Sequence, residues 1–333
     1  MSSINSQAGA KIETTYGTAV TVDRFWQVMK HTVKPKQYRA DGEGLRASGW
    51  VERSDQVRVA IQGGTVDAEF EWMTKGMGWW LLHMLGSSAT TGPTDSAYTH
   101  TGTVGSLYGD FFTYQGNFPL HPAGTDQALT LAGCKIPEWE LSCDVDGKVM
   151  FKPKLDAQSI ATATALAAAS YASAAVPYDW VDVSITLGGT ALPATSWSIK
   201  CDNALDVDKY RQQGSALKDE PTHKGRRKIT VEFDKDFADL TAVWNRVRAT
   251  AASSSMAQLV ITITAPDTGL TIGSSTQPST TITIPKLRLD DIDGVGKDGP
   301  DGDGIMHKAT GVARWDGTNS PITIAYVSAD ATA

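Results

Sequence analysis

Two stretches of this chain carry the same residues in the same order, and that repetition limits the folds open to it. Tyr38-Arg39-Ala40-Asp41-Gly42-Glu43-Gly44-Leu45 matches Tyr210-Arg211-Gln212-Gln213-Gly214-Ser215-Ala216-Leu217 at Tyr, Arg, Gly and Leu, at a spacing of 172 residues. Phe25 and Trp197 keep that spacing. A second block follows at a spacing of 163 residues, where Val66-x-Ala68-Glu69-Phe70-Glu71 parallels Ile229-x-Val231-Glu232-Phe233-Asp234. Met77, Trp80, Leu81 and Met84 then parallel Leu240, Val243, Trp244 and Val247. Fixed-period self-similarity marks repeated structural units. Two copies predict a duplicated domain rather than a solenoid. We divide the chain into module 1 (1–160), an alanine-rich connector (161–177) and module 2 (178–333).

A length of 333 residues gives each half enough chain for its own core. Hydrophobic residues make up 41% and charged residues 20%, a globular balance. The net charge of −7 argues against a broad phosphate-gripping surface. No apolar run reaches the roughly 20 residues of a membrane-spanning helix. Met1-Ser-Ser-Ile-Asn-Ser-Gln lacks the basic start and apolar stretch of a signal peptide, so folding in a cytoplasm is expected. Cys134, Cys143 and Cys201 have no paired spacing and read as small buried apolar side chains.

Period-2 alternation dominates. Val66, Ala68, Phe70 and Trp72 alternate with Asp67, Glu69 and Glu71, and Ile229, Val231 and Phe233 with Thr230, Glu232 and Asp234. Further strands are expected over 20–33, 98–104, 109–115, 136–145, 148–155, 180–187, 194–201, 258–264, 281–289, 305–315 and 321–327. Gly63-Gly64, Asp146-Gly147 and Gly188-Gly189 read as turns. One helix is expected per copy, capped by Thr74 in the first and Asp239 in the second. Long polar loops are expected at 34–56 and 202–226, and such loops tend to be functional or disordered. The connector's alanines favour helix, while its Ser and Thr permit a loose tether. The fold class is therefore mainly β with minor α: two tandem β-sandwich or barrel modules, each with a flanking helix and a long loop.

Chemical signatures are sparse. The sequence has no phosphate-binding loop, dinucleotide fingerprint, nucleophile elbow or zinc-ligand spacing, so no catalytic, cofactor-binding or metal residue is assigned. Asp290 to Gly304 alternates Asp and Gly as calcium loops do, but without the glutamate of an EF-hand, and reads as a solvated turn. Lys224-Gly225-Arg226-Arg227-Lys228 is too short for a nucleic-acid site. Glu69, Glu71, Glu232 and Asp234 recur at matching positions. They read either as a solvated sheet face or as a wall that repels polyanions.

Glu13-Thr14-Thr15-Tyr16-Gly17-Thr18-Ala19-Val20-Thr21 with Arg24-Phe25 resembles the start of the major tail tube proteins of long-tailed, non-contractile bacteriophages. The resemblance continues through Gly76 to Gly86, Tyr98-Thr99-His100-Thr101, Gly133-Cys134-Lys135-Ile136 and Trp139-Glu140-Leu141-Ser142. It extends to Asp202-Asn203-Ala204-Leu205, Glu220-Pro221 and Gly225-Arg226-Arg227. It implies a virion protein, made in the host cytoplasm, that polymerises into stacked rings around a tape-measure protein and later passes DNA. Its implied partners are other copies of itself, tail terminator and distal tail proteins. With two modules per chain, three chains would fill a ring of pseudo-sixfold symmetry, and the four acids would line the bore. Tyr38, Arg39, Gly42, Leu45, Tyr210, Arg211, Gly214 and Leu217 would shape the paired loops. Alternatives are a tube component of a phage-like secretion particle and a carbohydrate-binding or glycoside-cleaving β-protein.

Overall fold

A computed structural model describes residues 6–42, 44, 51, 54–119, 126–236, 243–249, 255–265, 270–292 and 306–332. It is mainly β with minor α. The first half supplies β1 (Gln7–Ile12), β2 (Arg24–Trp26), β3 (Val28–Ala40), β4 (Arg58–Glu71), α1 (Gly78–Leu85), β5 (Gly86–Thr94), β6 (Ala97–Val104), β7 (Phe112–Phe118), β8 (Gln127–Asp144), β9 (Met150–Ala157) and β10 (Ser159–Ala161). The second supplies β11 (Val183–Leu187), β12 (Thr190–Ala191), β13 (Ser196–Asp202), β14 (Lys228–Asp236), α2 (Trp244–Val247), β15 (Met256–Thr264), β16 (Ser279–Ile292), β17 (Met306–Ala313) and β18 (Thr323–Ser328).

A front sheet runs β3-β4-β9-β8-β13-β14-β17-β16, antiparallel throughout. Its two four-stranded halves have the same order, and the β8·β13 ladder is the seam between them. Behind it lie β2-β1-β7-β8-β10 and β12-β11-β15-β16-β18, the latter extended by β6 and β5. β8 and β16 therefore each belong to front and back layers. Register slips accompany the crossing. They fall between Phe112 and Tyr114 and between Lys135 and Glu138 at β8, and between Ala257 and Leu259 and between Leu289 and Asp291 at β16. Bulges bend strands in this way. Gly133 sits at the β8 bend with φ +65, where a Cβ would meet Gln158 and Tyr16 at 2.9 Å.

The buried alternation faces inward as expected: Val66, Ala68, Phe70 and Trp72 in one half, Ile229, Val231 and Phe233 in the other. These residues belong to one contiguous core that spans both halves. α1 buries Trp79, Trp80, Leu81 and Met84 beneath the front sheet. Trp80 packs against Trp26, Phe70 and Phe151, with ring centroids 4.8–5.5 Å away.

Several local expectations are corrected. The N-cap of α1 is Met77, without a side-chain bond, whereas the Thr74 hydroxyl accepts from the Val176 N–H. Asp239 lies outside the described residues. Gly63 and Gly64 lie within β4 rather than at a turn, and a Cβ on Gly64 would strike Ile160. β3 continues to Ala40, so residues 34–40 are strand and not loop. The connector is neither helical nor untethered. Gln115 Nε2 donates to the Ala165 carbonyl at 3.1 Å, Gln115 Oε1 accepts from Ala167 N–H, and Gln7 donates to the Ala167 carbonyl. These side-chain bonds hold the alanines extended across the back sheet and override their helix propensity.

Candidate assembly surface

The outward side chains of the front sheet form a lattice of acids and lysines. Lys30 pairs with Glu69 at 3.2 Å, Lys34 with Asp67 at 3.4 Å, Lys152 with Glu140 at 3.3 Å and Lys154 with Glu138 at 2.5 Å. On the second-half side of the seam Lys200 and Lys308 reach Glu232 at 3.6 and 4.0 Å. Asp234 accepts from Ser196 Oγ at 2.9 Å. The structure thus brings Glu69, Glu71, Glu232 and Asp234 onto one face, interleaved with cations rather than forming an unbroken acidic wall. Each exposed pair contributes only about 0–1 kcal/mol, so the lattice sets surface potential more than stability. Two hollows open on it. One of about 420 Å³ lies between Asp67, Glu138, Lys154 and Lys200, and one of about 150 Å³ between Glu140, Glu232, Asp234 and Lys308.

The loop residues are not brought together as a matched pair. Tyr38 and Arg39 stand exposed in β3, while Tyr210 and Arg211 lie in the irregular 203–227 connection. Gly42 follows β3, Gly214 takes φ +73, Leu217 N–H bonds Ser215 Oγ, and Leu45 lies outside the described residues. The 203–227 connection is docked on the first half of its own chain. Tyr210 donates to the Gln62 carbonyl at 3.1 Å, and Gln62 N–H bonds the Ala216 carbonyl at 2.9 Å. Lys36 pairs with Asp208. Lys218 and Asp156 form an ion pair at 2.5 Å with side chains 0% and 4% exposed, and Lys135 and Glu220 form another at 2.5 Å. Burial pushes the Asp156 carboxyl up and the Lys218 ammonium down, each partly offset by its partner.

These buried ions are the residues that sequence reasoning missed. Ser215-Ala216-Leu217-Lys218-Asp219-Glu220 looks like any solvated loop. Arg227, taken from the sequence as part of a basic cluster, is also structural. It donates to the carbonyls of Leu85 (2.5 Å) and Gly105 (2.6 Å), at the C-terminus of α1, where a cation complements the helix dipole. Cys134, Cys143 and Cys201 are buried, and burial pushes all three thiols up. Of the Asp/Gly stretch, Asp290 pairs with Arg288 and the Asp291 carboxylate accepts from Ile292 N–H. Residues 293–304 lie outside the described residues. Among the described residues no group of His, Cys, Asp or Glu is placed to hold a metal.

Among the described residues both edges of the front sheet are without a partner strand. Among the described residues β3 pairs only with β4, and β16 from Leu289 to Ile292 pairs only with β17. Unpaired backbone donors and acceptors of this kind template pairing with another chain.

Open edges of this kind are where one chain can join another. The chain belongs to the phage tail tube protein family, whose model, described as "Phage tail tube protein", matches residues 3–310. It is therefore a structural component of the virion tail that self-assembles into a tube. None of the curated proteins compared with the chain matches it. Among the described residues no helix is long and apolar enough to cross a membrane.

Proposed function

We propose that three copies close into a ring of six modules. Rings then stack into the tube of a long, non-contractile tail, which encloses the tape-measure protein during assembly and conducts DNA at ejection. One observation carries this reading: the seam inside the chain supplies a template for the joint between chains. β13 is to β14 as β3 is to β4, and β8 is to β9 as β16 is to β17. Ser196–Asp202 pairs with Glu138–Asp144 at the seam. Laying β3 of a second copy along the open edge of β16 repeats that joint, and repeating it around a rotation that closes gives a ring.

The ion lattice faces the bore in this arrangement. Acids interleaved with lysines give passing phosphates no continuous cationic stripe, so DNA finds no salt-dependent hold on the wall. The tail terminator and distal tail proteins would cap the two ends of the tube, and assembly would take place in the host cytoplasm.

A helical reconstruction of tubes from the purified protein tests the architecture. Three chains per ring, with Glu69 and Glu232 toward the lumen, are expected, and six full chains per ring would overturn the proposal. Replacing Glu69, Glu71, Glu232 and Asp234 together by lysine tests the conduit. Tubes should still assemble, but particles should eject DNA poorly, with a defect that eases at high salt. Undiminished infectivity would place this face outside.

A further inference from the structure

Lys218 and Asp156 meet in a setting that surface ion pairs lack. Lys218 Nζ lies 2.5 Å from Asp156 Oδ2, with both side chains buried. Each residue is also held through its main chain. Asp156 sits in β9, paired with Thr65 of β4 on one side and Lys135 of β8 on the other. The Lys218 carbonyl accepts from Gln158 Nε2 at 2.8 Å. On either side of it, the Ala216 carbonyl accepts from Gln62 N–H and Asp219 N–H donates to the Lys209 carbonyl, both at 2.9 Å. The Asp156 carboxyl carbon is one bond beyond Oδ2, which puts it at roughly the 3–3.5 Å from which a held nucleophile attacks. We propose that Lys218 Nζ condenses with the Asp156 carboxyl carbon to form an isopeptide bond joining the two halves of the chain.

The reaction needs a free amine facing an un-ionised carboxyl. Burial favours both, because it disfavours the charged forms: it pushes the Asp156 carboxyl up and the Lys218 ammonium down. A proton passing from Nζ to Oδ2 along the hydrogen bond gives the neutral pair. The amine lone pair then forms the N–C bond, and the carbonyl electrons move onto oxygen. Collapse of that tetrahedral centre breaks the C–OH bond, and the hydroxyl leaves with a proton from the nitrogen as water. Ammonium and carboxylate become one neutral amide, so charge balances and no oxidant or cofactor is consumed. The product also removes the cost of keeping two ions out of water.

Lys135 and Glu220, also 2.5 Å apart, are placed differently. Lys135 Nζ donates to the Leu107 carbonyl as well, and Glu220 Oε1 also accepts from Gly109 N–H at 2.7 Å. Solvent reaches Glu220, which is 14% exposed. Among the described residues Lys218 Nζ bonds Asp156 alone. Only the packed site dehydrates this pair, so the freshly folded subunit holds the ion pair and condensation follows folding. A bond between residues 62 apart closes a loop and shrinks the unfolded ensemble, which slows loss of the docked connection. The bond is independent of how subunits join.

Intact-mass spectrometry of the purified full-length protein, followed over time from refolding, tests the bond. The mass should fall by one water in most of the protein, and a protease digest should then yield a branched peptide linking Asp156 to Lys218. Lys218→Arg keeps a cation at the site but removes the nucleophilic amine, and should retain its full mass. Succinimide formation at an Asp-Gly step such as Asp316-Gly317 also releases water, but it leaves a linear peptide. A wild-type mass that stays whole after prolonged incubation overturns the proposal. So does a water loss that maps to an Asp-Gly step, or one that Lys218→Arg shares.

Discussion

Replacing Lys218 with methionine should destabilise the free subunit by about 3–5 kcal/mol, because it strands the Asp156 carboxylate in a site that is 4% exposed. Among the described residues the other cations nearby are already engaged. The Lys36 ammonium is engaged by Asp208, and Lys135 by Glu220. Gln158 binds the Lys218 main-chain carbonyl, a bond the substitution keeps, so the 203–227 connection loses its buried ion pair while its backbone bonds remain. Replacing both partners, Lys218→Met with Asp156→Leu, should recover most of the loss, since an apolar pair leaves no orphaned charge. The exposed Lys30–Glu69 pair is the control, and Lys30→Met should cost under about 1 kcal/mol. Urea denaturation of all four proteins measures these differences. A Lys218→Met loss as small as that of Lys30→Met would mean that the connection does not tie the two halves together.

Placing proline at Val33 should abolish tube formation while sparing the subunit. Pro35 already sits in β3, opposite Gly64, in a ladder that continues on both sides of it. A residue without an N–H is accommodated there when that position faces away from the partner strand. Alternate residues of a strand share an orientation, so the Val33 N–H also points to the open edge. Val33→Pro therefore removes a donor from the edge and none from the β3·β4 ladder, and its ring crowds an incoming strand. Each lost hydrogen bond is worth roughly 1 kcal/mol net. Three joints per ring then amount to about 3 kcal/mol before the steric term, roughly two orders of magnitude in assembly. Val33→Ala keeps the N–H and loses the same packing, so it should still polymerise. Light scattering and electron microscopy of the two variants compare them directly. Normal tubes from Val33→Pro would show that β3 is not the joining edge.

The sequence by itself determined the elements whose signal is local. Alternation over 66–72 and 229–233 gave the direction of each side chain, because a strand's period is set by its own backbone. The stripe Met77, Trp80, Leu81, Met84 placed α1 for the same reason at the helical period, and the spread of short matching segments gave the family. Where propensity was weak the reading failed. β5, Gly86-Ser-Ser-Ala-Thr-Thr-Gly-Pro-Thr94, has no apolar alternation and exists because β6 offers it a ladder.

Only the tertiary structure decided which strands are neighbours and which charges are buried. The seam joins strands more than fifty residues apart, and Lys218 meets Asp156 across 62 residues. The lysines that turn an apparent acidic wall into a mixed lattice come from neighbouring strands, Lys30 on β3, Lys200 on β13 and Lys308 on β17. A lysine in a polar loop reads the same in sequence whether water or a buried carboxylate receives it. What separates the two cases is desolvation, which depends on the packed neighbours and not on the adjacent residues.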